Sequence, residues 1–163
     1  MSIGQIKNKQ SGVASVEVAL IMPFIFLLML GGIELARTVY QYNTLVKNLR
    51  DATKYVASAV RPINYNTVGS TDPEVIRYKA VIDEAGNLAM CGTTTACSSS
   101  SVNGLTLENI KLKYPDSIEV DGVTFTFVQM YIEDFSLGFV FNLFGDSLAL
   151  SDITYTMYQL QQN

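Results

Sequence analysis

The feature that most constrains this chain is an uncharged apolar run close to its N-terminus. No charged residue occurs from Val18 to Ile33, and the longer segment 13–33 contains a single charge, at Glu17. At about 1.5 Å per helical residue this segment covers about 31 Å, which matches a hydrocarbon core about 30 Å thick. The sequence therefore predicts one membrane-spanning helix over residues 13–33.

The charges on the two sides of this run have opposite signs. Residues 1–12 contain Lys7 and Lys9 and no acid, whereas residues 81–163 contain ten acids against two lysines. Basic flanks tend to remain in the cytoplasm, so we expect the N-terminus inside and the C-terminal domain outside. An acidic domain also argues against nucleic acid as a partner, because phosphate binding needs a basic surface.

The helical pattern continues beyond the membrane. Apolar residues advance in alternating steps of four and three, which lays a stripe along one helix face: Leu35, Val39, Tyr42, Val46, Leu49, Thr53, Val56 and Val60. The dipeptide Arg61-Pro62 ends the pattern, because proline disfavours helix in the residue before it. We expect a helix over residues 13–61, whose second half packs on the chain's own C-terminal domain or on neighbouring copies.

Residues 62–163 predict a small domain of mixed structure. Pro73-Glu74 opens a second helix that runs to about Met90. Three β-rich stretches follow, at residues 105–114, 123–132 and 153–160, and Asp121-Gly122 suggests a tight hairpin turn before the second. The expected fold class is α+β: a long N-terminal membrane-spanning helix that extends into a small domain with a second helix and an antiparallel β-sheet. The stretch 135–150 has no clear assignment, although it suits a connection packed on the long helix.

The two cysteines, Cys91 and Cys97, lie six positions apart with small residues between them. A disulfide between them is sterically easy, and an extracytoplasmic compartment would oxidise it. Two free thiols are an alternative. A zinc site is another, but it would need carboxylates as ligands because the chain has no histidine.

No pattern in the sequence indicates an enzyme. There is no histidine, no Gly-rich phosphate loop after a strand, and no nucleophile with a base in its sequence context. We therefore expect no catalytic residue, cofactor or metal, although the acidic stretch 116–122 offers a weak alternative as a calcium site without EF-hand spacing. The acid pairs Asp83-Glu84 and Glu133-Asp134 suit solvated faces. The aromatic residues from Phe125 to Phe144 suit a core, with an exposed adhesive patch as the alternative.

A glycine and a glutamate mark the start of the apolar run, Gly12 and Glu17. A charge in a membrane helix costs roughly 2.5–3.5 kcal/mol at the bilayer centre and less near the interface, so Glu17 should have a partner or a purpose. The simplest interpretation is an interfacial carboxylate that reaches toward the headgroups. Gly followed by four residues and Glu, between a basic leader and an apolar helix, also resembles the processing signature of type IV prepilins.

The resemblance narrows to one family over about residues 11–60. The segment Ser-Gly-Val-Ala-Ser-Val-Glu-Val-Ala-Leu-Ile-Met-Pro-Phe at 11–24 is similar to the start of TadE-like pseudopilins of the tight-adherence (Flp) pilus. So are Gly-Ile-Glu-Leu-Ala-Arg at 32–37 and the continuation through Tyr40 to Tyr55. The sequence departs from the family pattern at Val18, where an aromatic residue often follows the glutamate.

The resemblance implies a processed pilus subunit of a bacterial inner membrane. Residues 1–12 would be a leader peptide, prepilin peptidase would cut between Gly12 and Val13, and Glu17 would pair with the new α-ammonium of a neighbouring subunit. The expected partners are that peptidase, other pilin and pseudopilin subunits, and the assembly platform in the inner membrane. The implied function is that of a minor pilin or pseudopilin in pilus assembly, surface attachment and biofilm formation.

Two other functions remain open. The chain can be an unprocessed, single-pass periplasmic interaction domain that never enters a filament. It can also be a secreted product of a cleaved signal, but Glu17 breaks the apolar region and no small-x-small site follows Leu30.

Overall fold

The computed structural model describes most of the chain after the first ten residues. The described ranges are residues 11–62, 71–114, 117–120, 123–140, 145–150 and 152–159. Two α-helices come first in the chain, and short antiparallel strands follow. The predicted α+β class, with a long N-terminal apolar helix, a second helix and antiparallel sheet, is confirmed.

Helix α1 spans Ser11–Ser58, and Pro23 lies inside it. Its 48 residues extend about 72 Å at 1.5 Å per residue. The helix ends three residues before the predicted Arg61, because its last turn tightens. The Ala59 amide donates to the Val56 carbonyl, three positions back, at 3.1 Å. Such tightened turns satisfy carbonyl groups that the end of a helix leaves without partners.

Helix α2 spans Pro73–Cys91, close to the predicted range, and both of its ends have sequence signals. The Asp72 side chain accepts a hydrogen bond from the Glu74 amide at 2.9 Å, and proline occupies the first turn. At the other end Gly92 adopts a left-handed conformation with φ of 76°, and its amide donates to the Leu88 carbonyl at 2.9 Å. Glycine adopts this conformation without the strain that a side chain would add.

A long strand, β3 (Val123–Ile132), organises the sheet. It pairs antiparallel with β1 (Ile110–Lys113), β2 (Ile118–Val120) and β6 (Ile153–Gln159). Because Val120 pairs with Val123, β2 and β3 form the predicted hairpin, although Asp121-Gly122 itself lies outside the described residues. A 3₁₀ turn at Leu107–Asn109 replaces the start of the strand that we predicted from residue 105.

A separate two-stranded hairpin occupies the stretch that the sequence left unassigned. It consists of β4 (Ser136–Gly138) and β5 (Ser147–Ala149), and the Phe139 amide donates to the Asp146 carbonyl at 3.1 Å. Leu137 is buried at the centre of β4, which attaches the hairpin to the rest of the domain.

The core lies where the second half of α1, α2 and the sheet meet. Alternate residues of β3 point into it, as the period of a strand requires. Its buried apolar members are Leu45, Leu49, Ala52, Val56, Tyr78, Ala85, Ala89, Val102, Leu105, Val128, Met130, Ile132, Phe135 and Leu137.

The chain's own domain covers only part of the apolar stripe that we predicted on α1. Leu49, Thr53 and Val56 are buried as expected, but Leu35 and Val39 are 64% and 51% exposed. The domain instead covers a neighbouring face of α1: Gly31, Glu34, Thr38, Leu45 and Asn48. One polar residue on that face, Glu34, accepts a hydrogen bond from the β4–β5 hairpin, as described below.

This difference gives a test of the packing. We expect Leu49→Ala to lower the unfolding free energy of the domain by about 2–5 kcal/mol, since Leu49 is completely buried. Leu35→Ala removes the same atoms from an exposed site and should change it by less than about 0.5 kcal/mol. Urea unfolding of the full chain in detergent micelles, followed by near-ultraviolet circular dichroism, measures both variants. Equal losses would contradict the observed packing.

Candidate functional site

The first part of α1 is not covered by any other described part of the chain. Every residue from 12 to 29 is exposed. Among the described helices, α1 is the one long and apolar enough to cross a membrane, with a mean hydropathy of 2.4 over its most apolar window. None of that window is buried by protein. An apolar surface of this size needs lipid or other helices to cover it.

The predicted processing residues lie at the exposed start of this helix. Val13 is 63% exposed, and Gly12 and Glu17 are also exposed. Val13 and Glu17 are four positions apart, so they are neighbours on one helix face, with Cβ atoms about 5–6 Å apart. Glu17 has no ion pair with any described residue. The arrangement thus leaves the Gly12–Val13 bond accessible and a carboxylate one turn away, while residues 1–10 lie outside the described ranges.

Protein begins to cover α1 at Leu30 and Gly31. Leu30 is half-buried, Gly31 is buried, and Glu34 is 1% exposed. The Glu34 Oε1 atom accepts a hydrogen bond from the Val140 backbone amide at 2.6 Å. This hydrogen bond attaches the β4–β5 hairpin to α1.

Arg37 lies one turn after Glu34 and borders a cleft of about 340 Å³. The other lining residues come from the loop before the 3₁₀ turn and from the β4–β5 hairpin: Asn103, Gly104, Ser136, Gly138, Phe139 and Val140. No acidic side chain of the described residues lines this cleft. The Arg37 Nη1 atom is buried and has no hydrogen-bond partner in the described part of the chain.

Glu34 and Arg37 entered the sequence analysis only through the family resemblance. Their burial was not predicted, because a local pattern does not show which segment returns to cover a helix. One signal was available: Glu34 is the first charge after the uncharged run. A charge at that position lies where a membrane helix leaves the hydrocarbon core, and it can therefore hold a folded domain close to the bilayer.

The two cysteines lie at the end of α2 and in the loop after it. Their Cα atoms are 6.5 Å apart, a separation that a disulfide bridges. Asn48 of α1 reaches the same loop and donates to the Ser101 hydroxyl at 2.8 Å. Ser101 in turn donates to the Met90 carbonyl at 2.9 Å, so the cysteine loop is connected to α1.

The acidic pairs contact neighbouring side chains. Glu84 accepts a hydrogen bond from the Tyr55 hydroxyl, and Glu133 lies 3.8 Å from the Lys111 ammonium. Within the described ranges, no group of three potential ligands is placed to hold a metal ion. Asp116 and Asp121, two carboxylates of the alternative calcium site named above, lie outside those ranges.

The aromatic residues are distributed between the core and its edge. Phe135 is buried, and four are half-buried: Phe125, Phe127, Tyr131 and Phe139. Phe141 and Phe144 lie outside the described residues. The described members favour the core interpretation over an exposed adhesive patch.

Comparison with known families supports the resemblance. Residues 12–53, about a quarter of the chain, match the sequence model of the TadE-like protein family. The match begins at Gly12, at the predicted cleavage site, and includes both Glu34 and Arg37. This relates the N-terminal helix to tight-adherence pilus systems, whose TadE-like proteins are structural. No curated protein and no solved structure matches the chain significantly.

The Glu34 contact can be tested by two substitutions. Glu34→Ala leaves the Val140 amide without its acceptor, and an unpaired buried donor costs about 1–3 kcal/mol. Glu34→Gln keeps an acceptor oxygen and should cost less. Urea unfolding of the full chain in micelles compares the two, and a Glu34→Ala domain as stable as the parent would contradict the importance of this hydrogen bond.

The Tyr55–Glu84 contact predicts a dependence on alkaline pH. The hydrogen bond to Glu84, then burial, then the Glu84 charge raise the pKa of the Tyr55 phenol above its ordinary value of 10.0. Its contribution to stability is therefore complete below pH 10.0 and is lost as the pH rises through the raised pKa. Unfolding free energies measured across this range should fall more steeply for the parent than for Tyr55→Phe. If the unfolding free energies of the two proteins fall with the same slope, a contribution of Tyr55 to this pH dependence is excluded.

Proposed function

We propose that the protein is a minor pilin or pseudopilin that is processed by prepilin peptidase and takes part in assembly of a tight-adherence pilus. The observation that carries the proposal is the location of the family match. It starts at Gly12 and includes residues 12–29, an apolar stretch of α1 that no described part of the chain buries. A helix of this kind is suited to reside first in lipid and then among the helices of other subunits.

Processing would hydrolyse the Gly12–Val13 bond at the cytoplasmic face. Residues 1–12 would leave as a leader peptide, and Val13 would acquire an α-amino group with an ordinary pKa of about 7.7–8.0. Most of these groups are charged at neutral pH. Glu17 of a neighbouring subunit would pair with this ammonium, and the low dielectric of a helix bundle strengthens such a pair. The exposed Glu17 supports this role because no described side chain neutralises it.

The membrane arrangement follows from charge and length. Residues 13–33 would cross the inner membrane, with the basic leader in the cytoplasm and the domain after residue 61 in the periplasm. Surface Cys91 and Cys97 would form a disulfide in that oxidising compartment. The bond would fix the end of α2 against a loop that already contacts α1.

The exposed side of α1 is the surface for other subunits. Leu35, Val39 and Tyr42 are 64%, 51% and 42% exposed, and they extend the apolar surface of residues 12–29 beyond the membrane. Sister helices or the assembly platform would cover these side chains. The domain would then face outward in a pilus that supports surface attachment, and no catalytic step is required of it.

Mass spectrometry of the protein from its native host tests the processing step. We expect a mature N-terminus at Val13, and retention of residues 1–12 in Gly12→Leu, because a large side chain at the cut should block hydrolysis. Glu17→Gln is the matched variant: it should still be cleaved, but it should not enter sheared pili.

Alkylation without reduction should leave both cysteines unmodified if they form a disulfide.

One result would favour the alternative function. If residues 1–12 remain on the parent protein in cells with an active prepilin peptidase, the pilin proposal fails. The chain would then be a permanently anchored periplasmic interaction domain.

A further inference from the structure

We propose that the β4–β5 hairpin, together with Arg37, docks on the outer surface of the bilayer that α1 crosses. Val140 would reach the boundary between headgroups and acyl chains, and the Arg37 guanidinium would bind the phosphate of a membrane phospholipid. The inference rests on the proposed membrane anchoring of residues 13–33, and the experiment below separates the two.

The Glu34–Val140 hydrogen bond fixes the depth of the hairpin. Glu34 is the first residue after the proposed span, about 1.5 Å beyond its end along the helix axis. The Val140 amide nitrogen is 2.6 Å from the Glu34 carboxylate. A bilayer about 40–45 Å thick with a core of about 30 Å has several ångströms of headgroup on each side. The backbone of Val140 therefore lies within the headgroup layer.

The burial of α1 indicates the same depth independently. Gly31 is buried and Leu30 is half-buried, and both lie inside the span of residues 13–33. On the opposite side of the helix Gly32 and Ile33 are exposed. The folded domain therefore overlaps the end of the membrane span on one side of α1, and it has no room to stand clear of the lipid surface.

The hairpin presents apolar surface at this depth. Val140 is 58% exposed and Leu148 is 44% exposed. The described hairpin residues 136–140 and 145–149 contain one charge, Asp146. Single exposed apolar side chains are ordinary in water, but at a membrane interface they lose contact with water and stabilise the bound state.

Arg37 supplies the electrostatic half of the contact. It lies about 4.5 Å above Glu34 along the helix, in the cleft next to Val140. The Arg37 side chain as a whole is only half-buried, its Nη1 atom has no hydrogen-bond partner in the described part of the chain, and no acid among the described residues lines the cleft. Glu34, the nearest carboxylate on α1, already accepts from Val140. Phosphate oxygens of phospholipids are the anions present at this depth, and a guanidinium binds them well.

Depth-dependent quenching in vesicles tests the docking. The full chain, with its native cysteines oxidised, would carry an environment-sensitive fluorophore on Val140→Cys and be reconstituted into phosphatidylglycerol–phosphatidylethanolamine vesicles. Phe26→Cys reports on the middle of the span. Ile76→Cys reports on α2, whose first turn borders a cleft with Ser58, about 37 Å beyond the end of the span along α1.

The three positions distinguish the possible outcomes. Docking predicts that nitroxides deep in the acyl chains quench position 26, that nitroxides near the headgroups quench position 140, and that neither quenches position 76. If position 26 is quenched but position 140 behaves like position 76, the docking is overturned and the anchor remains. If position 26 is not quenched, the membrane anchoring fails, and the docking fails with it.

A charge substitution tests the phosphate contact without a fluorophore. We expect Arg37→Gln to weaken retention of phosphatidylglycerol by the purified chain roughly five-fold, since a basic side chain near an anionic surface contributes about 1 kcal/mol. Lys47→Gln makes the same charge change on an exposed site about 15 Å farther along α1 and should have no effect. Equal lipid retention by the two variants would overturn the phosphate contact. Loss of subunit association by Arg37→Gln, with lipid retention unchanged, would assign Arg37 to an acidic group of a neighbour instead.

Discussion

The fold depends on one feature of α1: its environment changes along its length. Residues 12–29 are all exposed and, apart from Ser15 and Glu17, apolar or small, and a membrane is the surrounding that suits them. From Leu45 onward the same helix forms one wall of a core with α2 and β3. The change occurs over residues 30–38, where a buried carboxylate accepts a backbone hydrogen bond and a guanidinium borders an open cleft. Polar contacts at this point let one helix serve lipid and protein without a linker between them.

Several elements were predictable because their signals are local. Helix α2 has a capping aspartate before it and a left-handed glycine after it, and alternation along β3 matches its buried and half-buried faces. The small elements were not predictable on the same grounds. Strands of three residues such as β4 and β5 are too short to show a period, and the 3₁₀ turn at Leu107–Asn109 interrupts a stretch that is apolar enough to resemble a strand.

The buried face of α1 was missed for a different reason. Hydropathy selects Leu35, Val39 and Tyr42, whereas the domain covers Glu34 and Thr38. The local sequence indicates whether each face of a helix is apolar or polar, but it does not show which segment of the chain packs against that face. The accepting partner of the Val140 amide is 106 positions away, beyond the reach of any periodic pattern. The exposed part of the apolar stripe has the same explanation if the surface that covers it belongs to another chain.

The separation between Glu34 and Val140 also has a consequence for biogenesis. In the proposed membrane topology, Glu34 is exported well before Val140, which lies 106 positions later in the chain. Closing a contact across so many residues carries an entropic penalty that local helix formation does not, and such contacts form late in folding. Until residue 140 has crossed, the Glu34 carboxylate remains hydrated at the membrane surface and the domain above it is incomplete. In that topology, a formed Glu34–Val140 hydrogen bond shows that export has passed residue 140.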